Sequence, residues 1–172
     1  MKPTLNELDF SVLTSENVDE ILELQERVIN SLSDKSLLRR NCEKMFLECV
    51  VAPNYTLGVR YGKLLVAVGI LYFPTDDEED LSHLLVGVNT TNTKSANYKL
   101  CMVDEKFRGN GLQVLLGKKF EKRAKELGVN LLCATVSPDN VYSERNMLKL
   151  GYTLNATLPK YGSIRNLFYK FI

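Results

Sequence analysis

Tryptophan is absent from this sequence of 172 residues, and histidine occurs once. A metal site built from several histidines is therefore excluded. Positive and negative charges nearly cancel, since 22 Lys and Arg residues stand against 21 Asp and Glu residues and leave a net charge of +1. Proteins that bind nucleic acid or an anionic membrane surface usually carry a basic excess. We therefore expect neither nucleic acid nor a membrane as a partner.

Long apolar runs are also missing, and no segment approaches the ~18 residues of a membrane-spanning helix. The first residues, Met1–Asp9, lack the apolar core of a signal peptide. The cysteines stand far apart and form no Cys-x-x-C pair, which argues against zinc and thioredoxin-type sites at Cys42, Cys49, Cys101 and Cys133. We expect a reduced, cytoplasmic protein that holds no metal.

What is present is the composition of an ordinary globular protein. Hydrophobic residues make up 45% and charged residues 25% of the chain. A chain of this length can bury a core without disulfides. No linker, internal repeat or low-complexity tract divides it. The sequence therefore predicts one domain over residues 1–172.

Apolar spacing predicts that strands and helices alternate along the chain. Strands are expected at Phe10–Leu13, Thr56–Arg60, Leu64–Phe73, Asn97–Val103, Leu131–Val136, Tyr152–Leu158 and Ile164–Phe171. Helices are expected at Glu16–Leu32, Lys35–Cys49, Leu112–Leu127 and Asn140–Leu150. This order predicts an α/β fold, with a mixed central sheet of six to seven strands flanked by about four helices.

A glycine turn that joins a buried strand to a long helix is the most informative segment. It reads Cys101-Met102-Val103-Asp104-Glu105-Lys106-Phe107-Arg108-Gly109-Asn110-Gly111-Leu112-Gln113. Backbone N–H groups at such a helix start can approach an anion closely, because glycine has no Cβ. Arg108 adds a permanent positive charge. The turn therefore predicts a pyrophosphate site, with a plain strand-to-helix turn as the alternative.

Two familiar phosphate-binding patterns do not fit this segment. The dinucleotide fingerprint needs a third glycine where Val114 stands. A P-loop needs four residues between its glycines, but five separate Gly111 from Gly117. Lys119 also stands where the P-loop places the serine or threonine that binds magnesium. The pattern that remains is an Arg-x-x-Gly-x-Gly/Ala type of turn.

A second segment, Ser137–Tyr152, favours this remaining pattern. It has Asn140 at the start of a predicted helix and ends in Lys149-Leu150-Gly151-Tyr152. In this order, with one strand between them, the two segments resemble the acetyl-CoA motifs of the GNAT acetyltransferase superfamily. The motifs span Cys101–Tyr152, and the resemblance in element order covers nearly the whole chain.

The resemblance implies a single-domain GNAT-like fold that binds acetyl-CoA and an amine acceptor, as a monomer or a homodimer. In the family, two parallel strands splay apart around the pantetheine arm, and here these would be Asn97–Val103 and Leu131–Val136. The resemblance implies that the N–H of Cys101 polarises the thioester carbonyl and that the backbone of Val103 bonds the pantetheine. It assigns the other cofactor contacts to Met102, Arg108, Gly109, Asn110, Gly111, Leu112, Gln113, Asn140 and Ser143.

The sequence departs from the family at three positions. Gln113 replaces the last glycine or alanine of the turn. Met147 stands where a tyrosine general acid is frequent, and its thioether cannot protonate a thiolate. Asn97 stands where the histone acetyltransferase branch has a glutamate base. Tyr142 is then a candidate acid, with a surface or packing role as the alternative.

The two missing groups favour an acceptor amine that needs little help from a base. At pH 7 an α-amine of pKa ~8 is ~10% neutral, whereas a lysine-type amine of pKa ~10.4 is ~0.04% neutral. The C-terminal hairpin stands where the family closes the acceptor side, with Tyr161 in its turn and Arg165 suited to a carboxylate. We therefore expect an N-acetyltransferase acting on a small or amino-acid-like acceptor. A catalytically idle acyl-CoA-binding domain is the alternative.

The connection from Pro74 to Ala96 is long enough to serve as a lid. Its acidic run, Asp76–Asp80, is expected to be a solvated loop, with attraction of a cationic substrate as the alternative. The single histidine, His83, is expected to have a structural role.

Overall fold

The computed structural model describes residues 4–172, without the side chain of Leu5. The start of the N-terminal segment discussed above, residues 1–3, lies outside the described residues. Seven strands are described, namely β1 Leu8–Val12, β2 Tyr55–Tyr61, β3 Leu64–Tyr72, β4 Ser95–Val103, β5 Leu131–Val136, β6 Thr153–Lys160 and β7 Ser163–Phe171. The α-helices are α1 Val18–Ser31, α2 Glu43–Cys49, α3 Leu112–Glu126 and α4 Val141–Lys149.

The strands form one mixed sheet in the order β1-β2-β3-β4-β5-β7-β6. β4 and β5 pair in parallel, and the register covers Ser95–Asn97 opposite Leu131–Cys133. β7 lies between β5 and β6 and is antiparallel to both. The α/β fold with a mixed sheet of six to seven strands and about four helices is therefore confirmed.

The described chain forms two compact units. One contains the chain up to Ile70 together with Leu100–Leu116, and the other contains Leu71–Lys99 together with Gly117–Ile172. The prediction of one domain over residues 1–172 stays a prediction.

Helix α1 supplies much of the core of the first unit. Its apolar residues recur at helical spacing, so one face of the helix is buried through Val18, Ile21, Leu24 and Val28. A short 3₁₀ turn, Ser15–Asn17, precedes the helix, and Thr14 and Asn17 form a capping box there.

The second helix is shorter than the sequence predicts, and the prediction of a helix over Lys35–Cys49 is wrong in its first half. Lys35–Leu37 forms a 3₁₀ turn in which Asp34 accepts from Ser36 N. The chain then has no regular secondary structure until α2 begins. Buried Gln25 of α1 holds this stretch, because its Nε2 donates to Asn41 O at 2.9 Å and its Oε1 accepts from Asn41 N at 2.8 Å. These two bonds offer the backbone an alternative to helical pairing.

The core of the second unit forms around the fully buried residues of β5. Leu131 and Cys133 pack with Leu81 and Leu167. Burial, with the charge of Asp80 as a smaller cause, raises the pKa of the Cys133 thiol to about 12, so this thiol is inert near neutral pH. The remaining predicted strands and helices agree with the structure to within two residues at each end.

Candidate functional site

Asp104 fixes the point at which the chain leaves β4. Its N–H donates to Val66 O at 2.8 Å, and its carboxylate accepts from Lys106 N at 3.1 Å and from Arg27 Nε at 3.1 Å. Arg27 also donates to Leu65 O at 2.6 Å. The buried carboxylate thus caps the 3₁₀ turn Glu105–Phe107 and joins it to α1 and β3.

The glycine turn follows directly and has a conformation that few residues other than glycine adopt. Gly109 and Gly111 have φ of 84° and 70°. A Cβ at Gly111 would meet no protein atom within 4 Å, so the space above this backbone is open. Between the two glycines, Asn110 Nδ2 is buried and has no hydrogen-bond partner among residues 4–172.

Helix α3 begins at the end of this turn. Leu112 is its first residue, and Leu115 N donates to Gly111 O at 3.0 Å in the first turn of the helix. The opening N–H groups of an α-helix have no acceptor within the helix and carry the positive end of its dipole. The turn Arg108–Gln113 therefore places backbone donors at a helix start, as predicted. Its contact with a pyrophosphate stays a prediction.

The side chain of Arg108 bonds to protein groups in the first unit. Its guanidinium donates to Ser31 Oγ at 2.7 Å and to Val103 O at 3.3 Å. It is half-buried, and it joins the glycine turn to the end of α1 and the end of β4. The charge of Arg108 is evident from the residue type, but only the fold shows that two acceptors hold it in place.

The predicted oxyanion donor, the N–H of Cys101, belongs to the last part of β4. Because side chains alternate along a strand, Cys101 and Val103 share one face of β4 with Asn97 and Lys99. Met102 is on the opposite face and is buried, whereas Cys101 and Val103 are half-buried.

Helix α4 begins with the predicted Asn140. Asn140 is the N-cap, since its Oδ1 accepts from Ser143 N at 3.1 Å and its carbonyl accepts from Glu144 N at 3.0 Å. The cap uses only the two oxygens of Asn140, so its Nδ2 is not part of the cap. Ser143 is half-buried, whereas Tyr142 is 77% exposed. This exposure favours the surface role of Tyr142 over the acid role.

Met147 is 2% exposed and belongs to the core of the second unit. Burial of this thioether accounts for an apolar residue at this position of α4. Tyr152, the aromatic residue that ends the motif, is also buried, and burial raises the pKa of its phenol far above the usual range. The Met147 thioether has no proton to donate, and the buried Tyr152 phenol holds its proton more tightly than a free tyrosine does.

Asn97 has an unusual environment for a polar residue in the middle of a sheet. It is 2% exposed, and its Nδ2 donates to Glu79 O at 2.7 Å. Its Oδ1 is buried and has no hydrogen-bond partner in the part of the chain that the structure describes. The orientation of the amide is determined, because a carbonyl oxygen such as Glu79 O can only accept.

The second half of the acidic run, Glu79 and Asp80, is attached to β4. Glu79 Oε2 lies 2.6 Å from Lys99 Nζ, which also lies 3.9 Å from the centroid of the Tyr72 ring. Asp80 accepts from Ser95 Oγ at 2.8 Å and from Ser82 N at 2.9 Å. The expectation of a solvated loop holds for the exposed residues 76–78 and is wrong for Glu79 and Asp80.

The carboxyl group of Asp80 is stabilised in its charged form. Burial alone would raise its pKa, but the hydrogen bonds from Ser82 and Ser95 outweigh burial, so the pKa lies below the ordinary value. His83 is half exposed, with its ring nitrogens 3.6 Å from Asp77 Oδ1 and from Asp80 Oδ2. These contacts agree with the structural role expected for the histidine.

The C-terminal hairpin also contacts the acidic run. Tyr161 and Gly162 form its two-residue turn, with φ of 55° and 75°. Lys160 Nζ donates to Glu78 O at 2.6 Å and lies 5.1 Å from the centroid of the Tyr161 ring. Arg165 is half-buried on β7 opposite Leu158. Tyr161 and the acidic run thus belong to one part of the second unit.

Lys99 and its ion pair with Glu79 were not predicted from the sequence, although a signal was present. Ser95, Asn97 and Lys99 alternate with the apolar residues Ala96 and Tyr98 in β4, so polar groups line one face of this part of the strand. In a central strand this spacing indicates polar partners on the facing element. The partner here is the acidic run.

Neither a membrane-spanning helix nor a metal-binding group of side chains is found among residues 4–172. No helix there is long and apolar enough to cross a membrane. No three His, Cys, Asp or Glu side chains in that range are grouped so that they could hold a metal ion.

Known proteins resemble this chain in structure but not in sequence. No protein-family model matches the sequence, and no curated protein sequence matches it. A Salmonella typhimurium protein assigned as an acetyltransferase, solved with its cofactor acetyl-CoA, is 14% identical with a TM-score of 0.71, over 96% of this chain and 94% of that one. A GNAT-family acetyltransferase from Streptococcus pneumoniae is 16% identical with a TM-score of 0.71, over 96% of this chain and 100% of that one.

A third similar structure has a more specific name. The ribosomal-protein-S5-alanine acetyltransferase from Vibrio fischeri is 10% identical with a TM-score of 0.71, over 99% of this chain and 96% of that one. At these identities the likeness establishes the fold. The chain therefore has the fold of the GNAT acetyltransferase superfamily, as the resemblance in sequence implied.

Proposed function

We propose that this chain transfers an acetyl group from acetyl-CoA to an amine. The observation that carries the proposal is the turn Arg108–Gln113 at the start of α3. The space next to Gly111 is open, and Asn110 Nδ2 is a buried donor without a partner among residues 4–172. A pyrophosphate is an acceptor of the kind that such donors bind.

The turn fits acetyl-CoA in charge as well as in shape. Arg108 is held beside the turn by Ser31 and Val103, so its positive charge has a defined position. Backbone donors at a helix start bind phosphate oxygens without side-chain ordering. In this proposal Met102, Leu112 and Gln113 complete the contacts, and Asn140 Nδ2 and Ser143 bind further along the CoA chain.

When bound, acetyl-CoA supplies an acetyl thioester, whose carbonyl carbon is the electrophile. The N–H of Cys101 is the proposed donor to the carbonyl oxygen, and it stabilises the negative charge that grows there as the amine attacks. The attacking amine must be uncharged and loses its proton to water. A thiolate with a pKa near ~8.5 can leave without an acid. The buried Met147 is therefore compatible with turnover.

The acceptor in this proposal is a small or amino-acid-like amine. Arg165 carries a planar cation suited to a carboxylate, and Tyr161 lies in the turn of the same hairpin. The test is Arg165→Ala assayed with leucine and with leucinamide. Binding of the carboxylate by Arg165 predicts a loss of about tenfold or more in kcat/KM for the acid and little loss for the amide. Equal losses for both remove Arg165 from the acceptor site.

An idle acyl-CoA-binding domain is the second candidate, favoured by the absence of a proton-transferring side chain at Asn97 and at Met147. One assay separates the two functions. Thiol release from acetyl-CoA is measured over a panel of amines, beside a titration with CoA. Amine-dependent thiol release supports the enzyme, whereas CoA binding without such release supports the idle domain. No CoA binding contradicts both.

A further inference from the structure

Asn110 and Gly111 form the only Asn-Gly dipeptide in this sequence, and it lies in the glycine turn. The side-chain carbon Cγ of an asparagine and the backbone nitrogen of the next residue can close a five-membered ring. The side chain of the next residue normally hinders this closure, and glycine has none. The pair therefore has the chemistry of a spontaneous modification site.

The surroundings of Asn110 leave its amide able to react. Its Nδ2 is buried and has no hydrogen-bond partner among residues 4–172, so no bond within that range has to break before the amide nitrogen leaves. The Gly111 N–H makes no hydrogen bond to another backbone group in the same range. Gly109 and Gly111 are exposed, and a Cβ at Gly111 would meet no protein atom within 4 Å. The turn therefore leaves room for the ring and gives water access to it.

We propose that Asn110 is a site of spontaneous deamidation, through a succinimide formed with Gly111. The Gly111 nitrogen loses its proton to water or hydroxide and bonds to Asn110 Cγ. The Cγ–Nδ2 bond breaks, and the amide nitrogen takes a proton from water and leaves as ammonia. Water then adds to one of the two ring carbonyls. Opening at Cγ gives aspartate, and opening at the backbone carbonyl gives isoaspartate.

The product changes the proposed pyrophosphate site in charge and in shape. A carboxylate replaces the amide of Asn110, and an ionised carboxylate accepts hydrogen bonds but donates none. Its negative charge also repels a pyrophosphate bound at the same turn. Isoaspartate adds a carbon to the backbone of the turn as well. This consequence rests on the proposed binding of acetyl-CoA, whereas the modification itself does not.

Bound CoA should protect Asn110 from this reaction. In the proposed complex the pyrophosphate accepts from Asn110 Nδ2 and covers Gly111, so the amide is held and the ring cannot close. The chain then loses its binding site with time only when the cofactor is absent. At a CoA concentration about 100 times the Kd, about 1% of the protein is unbound, so the rate of modification should fall about tenfold or more.

The test incubates the whole wild-type protein in mildly alkaline buffer, with and without CoA. Samples taken over time are digested with trypsin, and mass spectrometry measures the mass gain of an amide that has become an acid. Asn110 lies in the tryptic peptide 109–118, where fragment ions locate the gain. The peptide 28–35 is the internal reference, because it contains Asn30, which precedes Ser31 inside α1. A sample digested at once corrects for modification during digestion.

We expect the gain at Asn110 to grow with time and to exceed the gain at Asn30 throughout. Asn110→Gln is the matched control, because it keeps an amide at this position but its side chain is one carbon longer and closes a ring more slowly. Its gain at residue 110 should fall to the level of the reference peptide. No gain at Asn110 in the wild type, or an equal gain in Asn110→Gln, overturns the inference.

Calorimetric titration with CoA measures the consequence on Asn110→Asp, which carries one of the two products. We expect its Kd for CoA to rise about tenfold or more. Asn6→Asp adds the same charge at an exposed residue outside the turn and should stay within about twofold. An unchanged Kd in Asn110→Asp, or modification that saturating CoA does not slow, contradicts the link to the cofactor. If the wild type binds no CoA, the proposed function fails, and the mass measurement decides the deamidation alone.

Discussion

Arg108 combines a positive charge with two hydrogen bonds inside its own unit. Its bonds to Ser31 Oγ and Val103 O explain how the charge is positioned beside the glycine turn. Arg108→Met should therefore weaken CoA binding about tenfold or more and lower the free energy of unfolding by about 1–3 kcal/mol. Calorimetric titration with CoA and urea unfolding measure the two effects.

Ser31→Ala is the matched control for this prediction, because it removes one acceptor and keeps the charge. We expect it to lower stability by about 1 kcal/mol and to leave the Kd for CoA within about threefold. If both variants bind CoA as the wild type does, Arg108 has no part in the site. If both weaken binding equally, the position of the guanidinium matters more than its charge.

Met147 allows a second prediction about a single residue. It is 2% exposed in the core, and Met→Leu conserves volume, so Met147→Leu should cost less than about 1.5 kcal/mol of unfolding free energy. Its kcat should stay within about twofold of the wild type, because no proton passes through this side chain. Steady-state kinetics check the claim. A large loss of kcat with unchanged CoA affinity would assign this position a part in the reaction.

Helix α3 packs closely against Leu150 at Gly117. A Cβ there would lie 2.4 Å from Leu150 Cδ1, and Leu150 is buried. At a helix position with free space around it, Gly→Ala raises the free energy of unfolding by about 1 kcal/mol. A decrease at Gly117 would therefore show that the added methyl group has no room. We expect Gly117→Ala to lower the free energy of unfolding by about 1–3 kcal/mol, because the added methyl group would overpack the contact with Leu150. Exposed Lys118→Ala should change the unfolding free energy by less than about 0.5 kcal/mol. Urea unfolding that shows Gly117→Ala to be stabilising contradicts this packing.

The acidic run gives a prediction about pH. The pKa of Asp80 is lowered in the folded protein, so its charged form contributes stability above its ordinary value of 3.8, and this contribution is lost as the pH falls through the lower folded pKa. The free energies of unfolding of the wild type and Asp80→Asn, measured with urea, should therefore differ at pH 6, and the difference should shrink as the pH falls below about 4. Asp77→Asn is the control, since its side chain is 94% exposed. A constant difference at every pH would contradict the assignment.

Helices and strands could be predicted from the sequence where their apolar residues follow one regular spacing. The apolar spacing of α1 and the buried run of β5 gave these elements to within two residues. The prediction failed for the first half of the second helix because Gln25, distant in sequence, bonds Asn41 in a segment without regular secondary structure. The attachment of Glu79 to Lys99 was missed for the same reason, since both depend on contacts that local patterns do not contain.

For the whole molecule, the order of strands and helices and the two motifs between Cys101 and Tyr152 together predicted the fold. A glycine turn at a helix start and an asparagine N-cap have local geometric requirements, so their sequences predict their shapes. The acceptor is harder to predict, because Asn97, the acidic run and the hairpin meet only in the folded chain. The sequence indicated that Asn97 is not a base, and the structure adds that its Oδ1 has no hydrogen-bond partner within residues 4–172.

Calorimetric titration with CoA of the wild type, Gly111→Ala and Gly128→Ala tests the central claim most directly. Both glycines have left-handed φ, 70° and 73°, and at both a Cβ would meet no protein atom within 4 Å. The two substitutions therefore cost similar backbone strain, but only Gly111 lies in the proposed pyrophosphate turn. We predict that Gly111→Ala weakens CoA binding about tenfold or more and that Gly128→Ala stays within about twofold. Equal CoA affinity in all three proteins would contradict the account.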